Sequence, residues 1–350
     1  MSHALHAVAT DVGSPSTELA PESRVPRPPL RVLGRTRRIV SAIGLGLAGL
    51  GRPAYMALGR DATFGPDRSV AAMRRRCQVM LDAAHATGIR YVDAARSYGL
   101  AEVFLRDWCE ERGLDNHRFT IGSKWGYIYT GAWQMDPPRH EIKRLTLETL
   151  QWQAAETRAI LGRHLSVYQI HSATVGSGVL DNAEVHAELY RLRAQGVIIG
   201  LTVTGPNQAN AIRRALKITV DGVPLFDTVQ ATWNLLEPSA GCALAEASAA
   251  GCAVIVKEVL ANGRLTSRHA GPELRGLAAR AMTLGTSIET LAMAAALQQP
   301  WATVVLSGAV TLEELQQHLS AFDFFGETAP RVRPEPPEAY WHNRCAILWQ

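Results

Sequence analysis

Tyr91-Val92-Asp93-Ala94-Ala95-Arg96-Ser97-Tyr98-Gly99-Leu100-Ala101-Glu102 is the stretch on which the reading of the fold turns. Its first residues read as a short apolar strand that leaves on an aspartate. Gly99 then lets the backbone turn into a helix. A strand running through a short loop into a helix is half of a βαβ unit. An acid and a phenol five positions apart, just past the carboxyl end of such a strand, form half of a proton-transfer site.

Working outward, strands and helices alternate. Ile39–Leu47 reads as a strand, Val70–Ala86 as an amphipathic helix and Arg90–Ala94 as the second strand. A helix at Ala101–Arg112, a strand at Phe119–Lys124 and a long helix over about His140–Leu161 follow. Next come strand Leu165–His171, helix Ala183–Ala194, strand Val197–Thr204, helix Gln208–Lys217 and strand Thr228–Thr232. Helix Ala240–Ala250, strand Ala253–Lys257, strand Thr303–Ser307 and a closing helix Leu312–Phe322 complete the pattern. Glycine recurs just past the last turn of the helices, the expected stop signal. Thr286 with Glu289, and Thr311 with Glu314, have the spacing of capping boxes. The strands are continuous apolar runs without alternation, as expected for a parallel sheet buried on both faces. Eight of them with intervening helices imply a single-domain α/β fold, a (β/α)8 TIM barrel. A doubly wound sheet is the alternative, and Gly44-Leu45-Gly46-Leu47-Ala48-Gly49 does spell GxGxxG. No strand-end acid follows about 20 residues later, so these glycines read as a strand-to-loop backbone that lets a ligand approach.

Bulk properties agree with one large barrel. The chain has 350 residues, 47% of them hydrophobic, and a formal net charge of +4. So small and dispersed a charge points to neither nucleic acid nor a membrane surface. Five cysteines without CxxC spacing read as reduced thiols of a cytoplasmic protein, with no metal site. Residues 1–37 form a Pro- and Ser-rich arm expected to be disordered, 38–325 the barrel, and 326–350 an irregular tail. Arg37-Arg38 before the apolar run to Leu50 mimics an export signal but reads better as the first strand and its exit loop. The tail's Tyr340, Trp341 and Trp349 either fold over the barrel mouth or pack elsewhere.

Groups at the carboxyl ends of barrel strands share one mouth. Asp93 leaves strand two, Lys124 ends strand three, His171 ends strand four, and Tyr98 lies on the loop after strand two. An ammonium beside a phenol favours the phenolate, so Lys124 should lower the pKa of Tyr98, with Asp93 anchoring Lys124. An imidazole beside the pair can orient a substrate oxygen. The loop after Lys124 adds Trp125, Tyr127, Tyr129 and Trp133. With Tyr55 and with Trp233 after strand six, these rings suggest an amphipathic wall for sugar faces or aromatic carbonyl compounds.

Tyr91-Val92-Asp93-Ala94-Ala95 running to Tyr98-Gly99, Ser123-Lys124, Tyr168-Gln169-Ile170-His171, Ile199-Gly200-Leu201-Thr202, Val229-Gln230 and Leu306-Ser307-Gly308-Ala309 occur in the order and spacing of one family. Over about residues 38 to 322 the chain resembles the aldo-keto reductases. The resemblance implies NAD(P)(H)-dependent interconversion of a carbonyl and an alcohol, with Tyr98 as general acid or base and Asp93, Lys124 and His171 completing the set. It implies that Thr202 and Gln230 hold the nicotinamide carboxamide, and that Lys257, Gly308, Thr311, Glu314, Gln317 and His318 line the rest of the cofactor site. Three departures stand out. Thr202-Val203 occupies the place of a Ser-Asn pair. Lys257-Glu258-Val259 stands where an aromatic residue often stacks on the nicotinamide. Val310-Thr311-Leu312-Glu313-Glu314 lacks the basic residues that commonly hold the 2′-phosphate. NADP(H) is thus the family expectation, and NAD(H) a serious option.

Two other classes compete with the oxidoreductase. One is a barrel lyase or aldolase using Lys257 or Lys124 as a Schiff base. The other is a nucleotide-binding regulatory subunit with little turnover. The substrate, a small carbonyl compound or sugar, and the oligomeric state stay open.

Overall fold

The structure is a computed structural model that describes residues 26–114, 119–269, 271–327 and 332–350. Most of the amino-terminal arm, residues 1–25, lies outside the described residues.

Eight parallel strands close into a barrel in chain order. They are Ile43–Gly46, Tyr91–Asp93, Thr120–Trp125, Leu165–Ala173, Ile198–Val203, Thr228–Thr232, Ala253–Lys257 and Val304–Ser307. The last strand pairs with the first through Val305 opposite Ile43, which removes both sheet edges. Register aligns the reactive ends, since Asp93 faces Gly122 across one seam and Lys124 faces Gln169 across the next. The (β/α)8 TIM barrel expected from alternation is therefore the fold.

The expected first strand, Ile39–Leu47, is two strands. Ile39–Ser41 pairs antiparallel with Leu30–Val32, and Ile43–Gly46 enters the barrel. Ser41 pins the break: its hydroxyl donates to the Ile43 carbonyl at 2.5 Å and accepts the Arg90 amide at 2.7 Å. Leu33 and Val40 of this hairpin are fully buried against Tyr91, Val167, Ile255 and Val304 inside the barrel. The hairpin thus plugs the barrel floor, and residues 30–37 belong to the folded body rather than to a disordered arm. The run after Arg37-Arg38 is the second strand of this hairpin and the first barrel strand.

The long helix expected over His140–Leu161 begins only at Leu147, with Thr146 as its cap. Glu141–Lys143 instead pairs antiparallel with Tyr127–Tyr129, an arm standing over the mouth. Between the seventh and eighth strands lie two helices, Arg275–Thr283 and Ile288–Leu297. All ten residues of the second are buried, so it lacks the one-sided apolar stripe that marks a surface helix. Its cap is Ser287 rather than Thr286, and Glu289 turns away to accept from the Ser267 amide. Thr311 does cap the helix Leu312–Leu319, its hydroxyl accepting the Glu314 amide at 3.2 Å.

The tail folds over the mouth. Helix Pro337–Cys345 buries Tyr340 and Trp341. Gln350 then exchanges two backbone hydrogen bonds with Tyr55, at 2.8 and 3.0 Å. Among the described residues no helix is long and apolar enough to cross a membrane.

The turn carrying Tyr98 rests backbone-to-backbone on the loop after the first barrel strand. The Leu100 amide donates to the Gly51 carbonyl at 2.8 Å, and a Cβ on Gly51 would sit 2.3 Å from the Tyr98 carbonyl oxygen. Gly51→Ala should therefore cost about 1–3 kcal/mol of stability by overpacking, read as a shifted urea midpoint. A midpoint equal to wild type would show that the two loops do not depend on this contact.

Candidate active site

Lys124 is 1% exposed at the carboxyl end of the third strand. Its ammonium donates to the Asp93 carboxylate, to the Ala94 carbonyl at 2.8 Å and to the Tyr98 hydroxyl at 3.2 Å. An ammonium has three N–H bonds and no acceptor, so all three are committed. Burial pushes the Lys124 amine down, and the adjacent Asp93 opposes that push. Asp93 is held from its other oxygen by the Gln230 amide at 3.0 Å and by Gln169 at 3.5 Å.

The Tyr98 phenol corrects one expectation. Its pKa lies well above the usual value, because burial and the Asp93 carboxylate outweigh the opposing Arg52. Asp93 offsets the ammonium that would otherwise favour a phenolate. The phenol therefore stays protonated through the neutral range. Its oxygen accepts from Lys124, so its own proton must point elsewhere.

His171 reaches the mouth through a flaw in the fourth strand. The register slips between Ile170 and Ala173, and Ser172 adopts a left-handed φ of 60°. Such bulges re-aim side chains and recur beside functional sites. Two hydrogen bonds hold the bulge: the Ser172 amide donates to Thr202 Oγ1 at 2.7 Å, and Lys143 donates to the Ser172 carbonyl at 2.6 Å. The His171 ring lies 5.6 Å from that of Tyr98 and 4.9 Å from that of Tyr127, edge-on to both. Burial, then Lys124, Lys257, Arg52 and Lys143, hold its pKa well below the usual value, so the imidazole is neutral at pH 7.

Asp93, Tyr98 and His171 line a cleft of about 320 Å³, with Lys124 directly behind. Tyr55, Tyr127, Gln230, Lys257, Gly308, Glu314, Gln317 and His318 also line it. Four expected contacts do not. Trp125 is fully buried, and Trp233 packs edge-on to Trp301 in the core, so neither ring builds the wall. Thr202 is spent on the Ser172 amide and Thr311 on capping its helix. Trp133 likewise packs against Phe104 and donates to the Arg68 carbonyl at 2.8 Å.

Several lining residues carry no local signal in the sequence. Arg52 donates to the Ser97 carbonyl and to Glu141, both at 2.9 Å, and sits 4.6 Å from the Trp349 ring centre and 5.2 Å from that of Tyr98. Trp349 stacks on His140 at 3.9 Å. Glu258, left-handed at φ 57°, pairs with Arg344 of the tail helix and accepts Thr232 Oγ1 at 2.9 Å. Burial pushes the Glu258 carboxyl up, but Arg344, Lys257 and these hydrogen bonds more than reverse that and hold it at about 2. Lys257 donates to Thr232 Oγ1 at 2.9 Å. Burial lowers its amine to about 8, helped by Arg344 and Lys124 and opposed by Glu258. Only a loop after a strand and a tail more than 80 residues later could bring Glu258 to Arg344.

A model of the aldo/keto reductase family matches residues 42–328. The chain belongs to that family. Aldo-keto reductases generally use NAD(P)H, so family membership implies an oxidoreductase. Among solved structures, the aldo-keto reductase AKR11C1 from Bacillus halodurans, in its holo form, aligns with a TM-score of 0.65 at 18% identity, covering 91% of this chain and 96% of that one. PA4992, a candidate aldo-keto reductase from Pseudomonas aeruginosa, aligns with a TM-score of 0.60 at 21% identity over 83% of this chain and 93% of that one. At such identities these relatives speak for the fold. No curated protein matches the chain.

The Glu258–Arg344 pair ties the tail to the seventh strand's exit. Arg344→Met should cost about 3–5 kcal/mol, because a buried carboxylate loses its partner, while Arg344→Met with Glu258→Gln should recover most of the loss. Glu258 titrates lower in the folded chain than its ordinary 4.5. The pair's stabilisation is therefore complete above about pH 4.5 and drains as pH falls toward 2. Urea melts across that window should show wild type losing more stability than the double variant.

Proposed function

We propose that the chain is an NAD(P)(H)-dependent oxidoreductase that interconverts a small polar carbonyl compound (aldehyde, ketone or sugar) and its alcohol. The observation that carries this reading is the Lys124 ammonium. With its three hydrogens on Asp93, Ala94 and Tyr98, it takes the phenol oxygen as an acceptor, and the phenol, which lines the cleft, keeps its own proton to donate.

Tyr98 is the general acid in reduction and the general base in oxidation. Its high pKa keeps the proton in place until a substrate oxygen gains negative charge. At that moment Lys124 stabilises the phenolate left behind, and Asp93 keeps Lys124 charged. Neutral His171 contributes a ring nitrogen to orient the substrate oxygen. Gln230, through its bond to Asp93, positions the pair. The nicotinamide cofactor, when bound, supplies or accepts the hydride. Gln230, Lys257, Gly308, Gln317 and His318 are the lining residues that would hold it. The fit rests on a single cleft that Tyr98 lines at one end and Gly308, Glu314, Gln317 and His318 line beside helix Leu312–Leu319. Tyr55, Tyr127 and Trp349 offer apolar faces beside Arg52 and Glu141, a mixture suited to a polyhydroxylated or otherwise polar substrate. Five cysteines, none joined to another, support a reducing, cytoplasmic setting.

The Schiff-base reading retains one favourable observation, the Lys257 amine near pKa 8. Lys124 has no free N–H direction for it. Borohydride trapping with an aldehyde, followed by peptide mapping, separates the two: an adduct on Lys257 supports the lyase, and its absence leaves the oxidoreductase.

Tyr98→Phe should lower kcat by at least about 10²–10⁴-fold, the contribution of a positioned acid, with NAD(P)H affinity within about twofold of wild type. Stopped-flow turnover on an aldehyde and sugar panel, paired with a cofactor fluorescence titration, measures both. Wild-type binding of cofactor with no turnover on any panel member would favour the regulatory-subunit reading. Comparable turnover in Tyr98→Phe would remove Tyr98 from the mechanism.

A further inference from the structure

One strand of the arm over the mouth reaches the backbone beside both Tyr98 and His171. Glu141 and Lys143 alternate with Ile142, so their side chains leave the same face of that strand. Glu141 accepts Nη1 of Arg52 at 2.9 Å. The same nitrogen donates at 2.9 Å to the carbonyl of Ser97, the residue before Tyr98. Lys143 donates at 2.6 Å to the carbonyl of Ser172, the residue after His171. Tyr127, opposite Lys143 in the register of the arm, sets its ring 4.9 Å from that of His171.

A barrel needs none of these contacts to close. The arm is an excursion between the third strand and the next helix, shut at its base by the Arg144 amide on the Gly126 carbonyl at 2.8 Å. A two-stranded hairpin has little stability of its own, so its tethers fix where it sits. What those tethers grip is irregular backbone. Ser172, left-handed at φ 60°, sits in the register slip that brings His171 to the mouth. Such a conformation persists only where its surroundings hold it. Thr202 holds the peptide plane before Ser172 through its amide, and Lys143 holds the plane after it through its carbonyl. On the other side Arg52 is 3% exposed, and a buried cation needs a counter-charge, which Glu141 supplies. Its guanidinium carbon lies 5.2 Å from the centre of the Tyr98 ring.

Resting on the proton-transfer reading above, we infer that the arm Tyr127–Lys143 sets the placement of His171 relative to Tyr98. Lys143, and Glu141 acting through Arg52, are its positioning residues, and neither touches the reacting atoms. With the arm seated, the phenol and imidazole rings stand 5.6 Å apart. Without the Lys143 tether the bulge relaxes and His171 loses its aim, while Tyr98 keeps its bond to Lys124.

The test reads His171 directly and turnover separately. Lys143→Met, Lys143→Arg and Glu141→Gln are compared with wild type and with Ile142→Thr, a control whose side chain is 38% exposed on the other face of the strand. In ligand-free protein carrying isotope-labelled histidine, the His171 Cε1–H resonance is assigned by its loss in His171→Gln. It should shift and broaden in Lys143→Met, return toward its wild-type position in Lys143→Arg and stay in place in Ile142→Thr. In turnover, Lys143→Met and Glu141→Gln should each lower kcat at least about tenfold, since a misplacement of about 1 Å can cost about 10²-fold, with cofactor affinity unchanged. Lys143→Met should cost nothing further in a His171→Gln chain, because a positioning residue acts only through the group it positions. A full additional loss in that double variant, or an unmoved His171 resonance in Lys143→Met, would overturn the role of Lys143. An equal loss of kcat in Ile142→Thr would overturn the specific tethers in favour of general loosening of the arm. Absence of turnover in wild type would overturn the oxidoreductase reading, while the resonance, which needs no substrate, still decides whether the arm holds His171.

Discussion

A buried ammonium is the constraint from which the site follows. Taking an isolated ammonium out of water costs several kcal/mol even after the protein relaxes, so Lys124 at 1% exposure needs every N–H satisfied and a counter-charge close by. Asp93 supplies the charge, Ala94 a carbonyl and Tyr98 a hydroxyl. Three groups on one strand exit are thereby tied to the neighbouring strand. Parallel pairing of Asp93 with Gly122 brings the two strand ends to one height. The same arrangement that satisfies the lysine uses the phenol oxygen as an acceptor and leaves the phenol proton off that bond.

Around this centre charge is balanced locally, pair by pair. Glu258 sits between Lys257 and Arg344, and Arg52 spans Glu141 and the Ser97 carbonyl. These pairs are made by segments that rise above the barrel rim: the loop after the first strand, the arm Tyr127–Lys143, the exit of the seventh strand and the tail. The barrel supplies Asp93, Tyr98, Lys124 and His171, whereas the superstructure shapes the space in front of them. That division explains why the cleft mixes rings with charges. The rings come from elements that need an apolar face against the barrel, and the charges tie those elements to each other.

The fold was legible wherever burial on both faces makes a strand continuously apolar, and wherever a glycine ends a helix. It was illegible where local pattern is silent. Ile288–Leu297 is buried all round, so only the cap signal ahead of it, and no apolar stripe, marks it as a helix. Glu141–Lys143 looks like the start of a helix, yet its partner strand Tyr127–Tyr129 claims it. The stretch Ile39–Leu47 has Ser41 as its one polar side chain, and nothing local announces that this serine will break the strand with two hydrogen bonds.

For the site the division is similar. That Asp93, Tyr98, Lys124 and His171 would meet was readable from sequence, because the carboxyl ends of consecutive parallel strands must share one rim, and chain order alone tells which residues end each strand. Tertiary structure decided everything that depends on one side chain meeting another distant in sequence. Trp125 and Trp233 turn inward, Thr202 serves the bulge at Ser172, and Arg52, Arg344 and Trp349 arrive at the mouth. It also reversed the direction of the Tyr98 titration, since the balance between the Lys124 cation, the Asp93 anion and burial depends on distance and solvent exclusion. Backbone periodicity is a local property carried by composition, whereas electrostatic balance is a sum over neighbours that exist only once the chain has closed on itself.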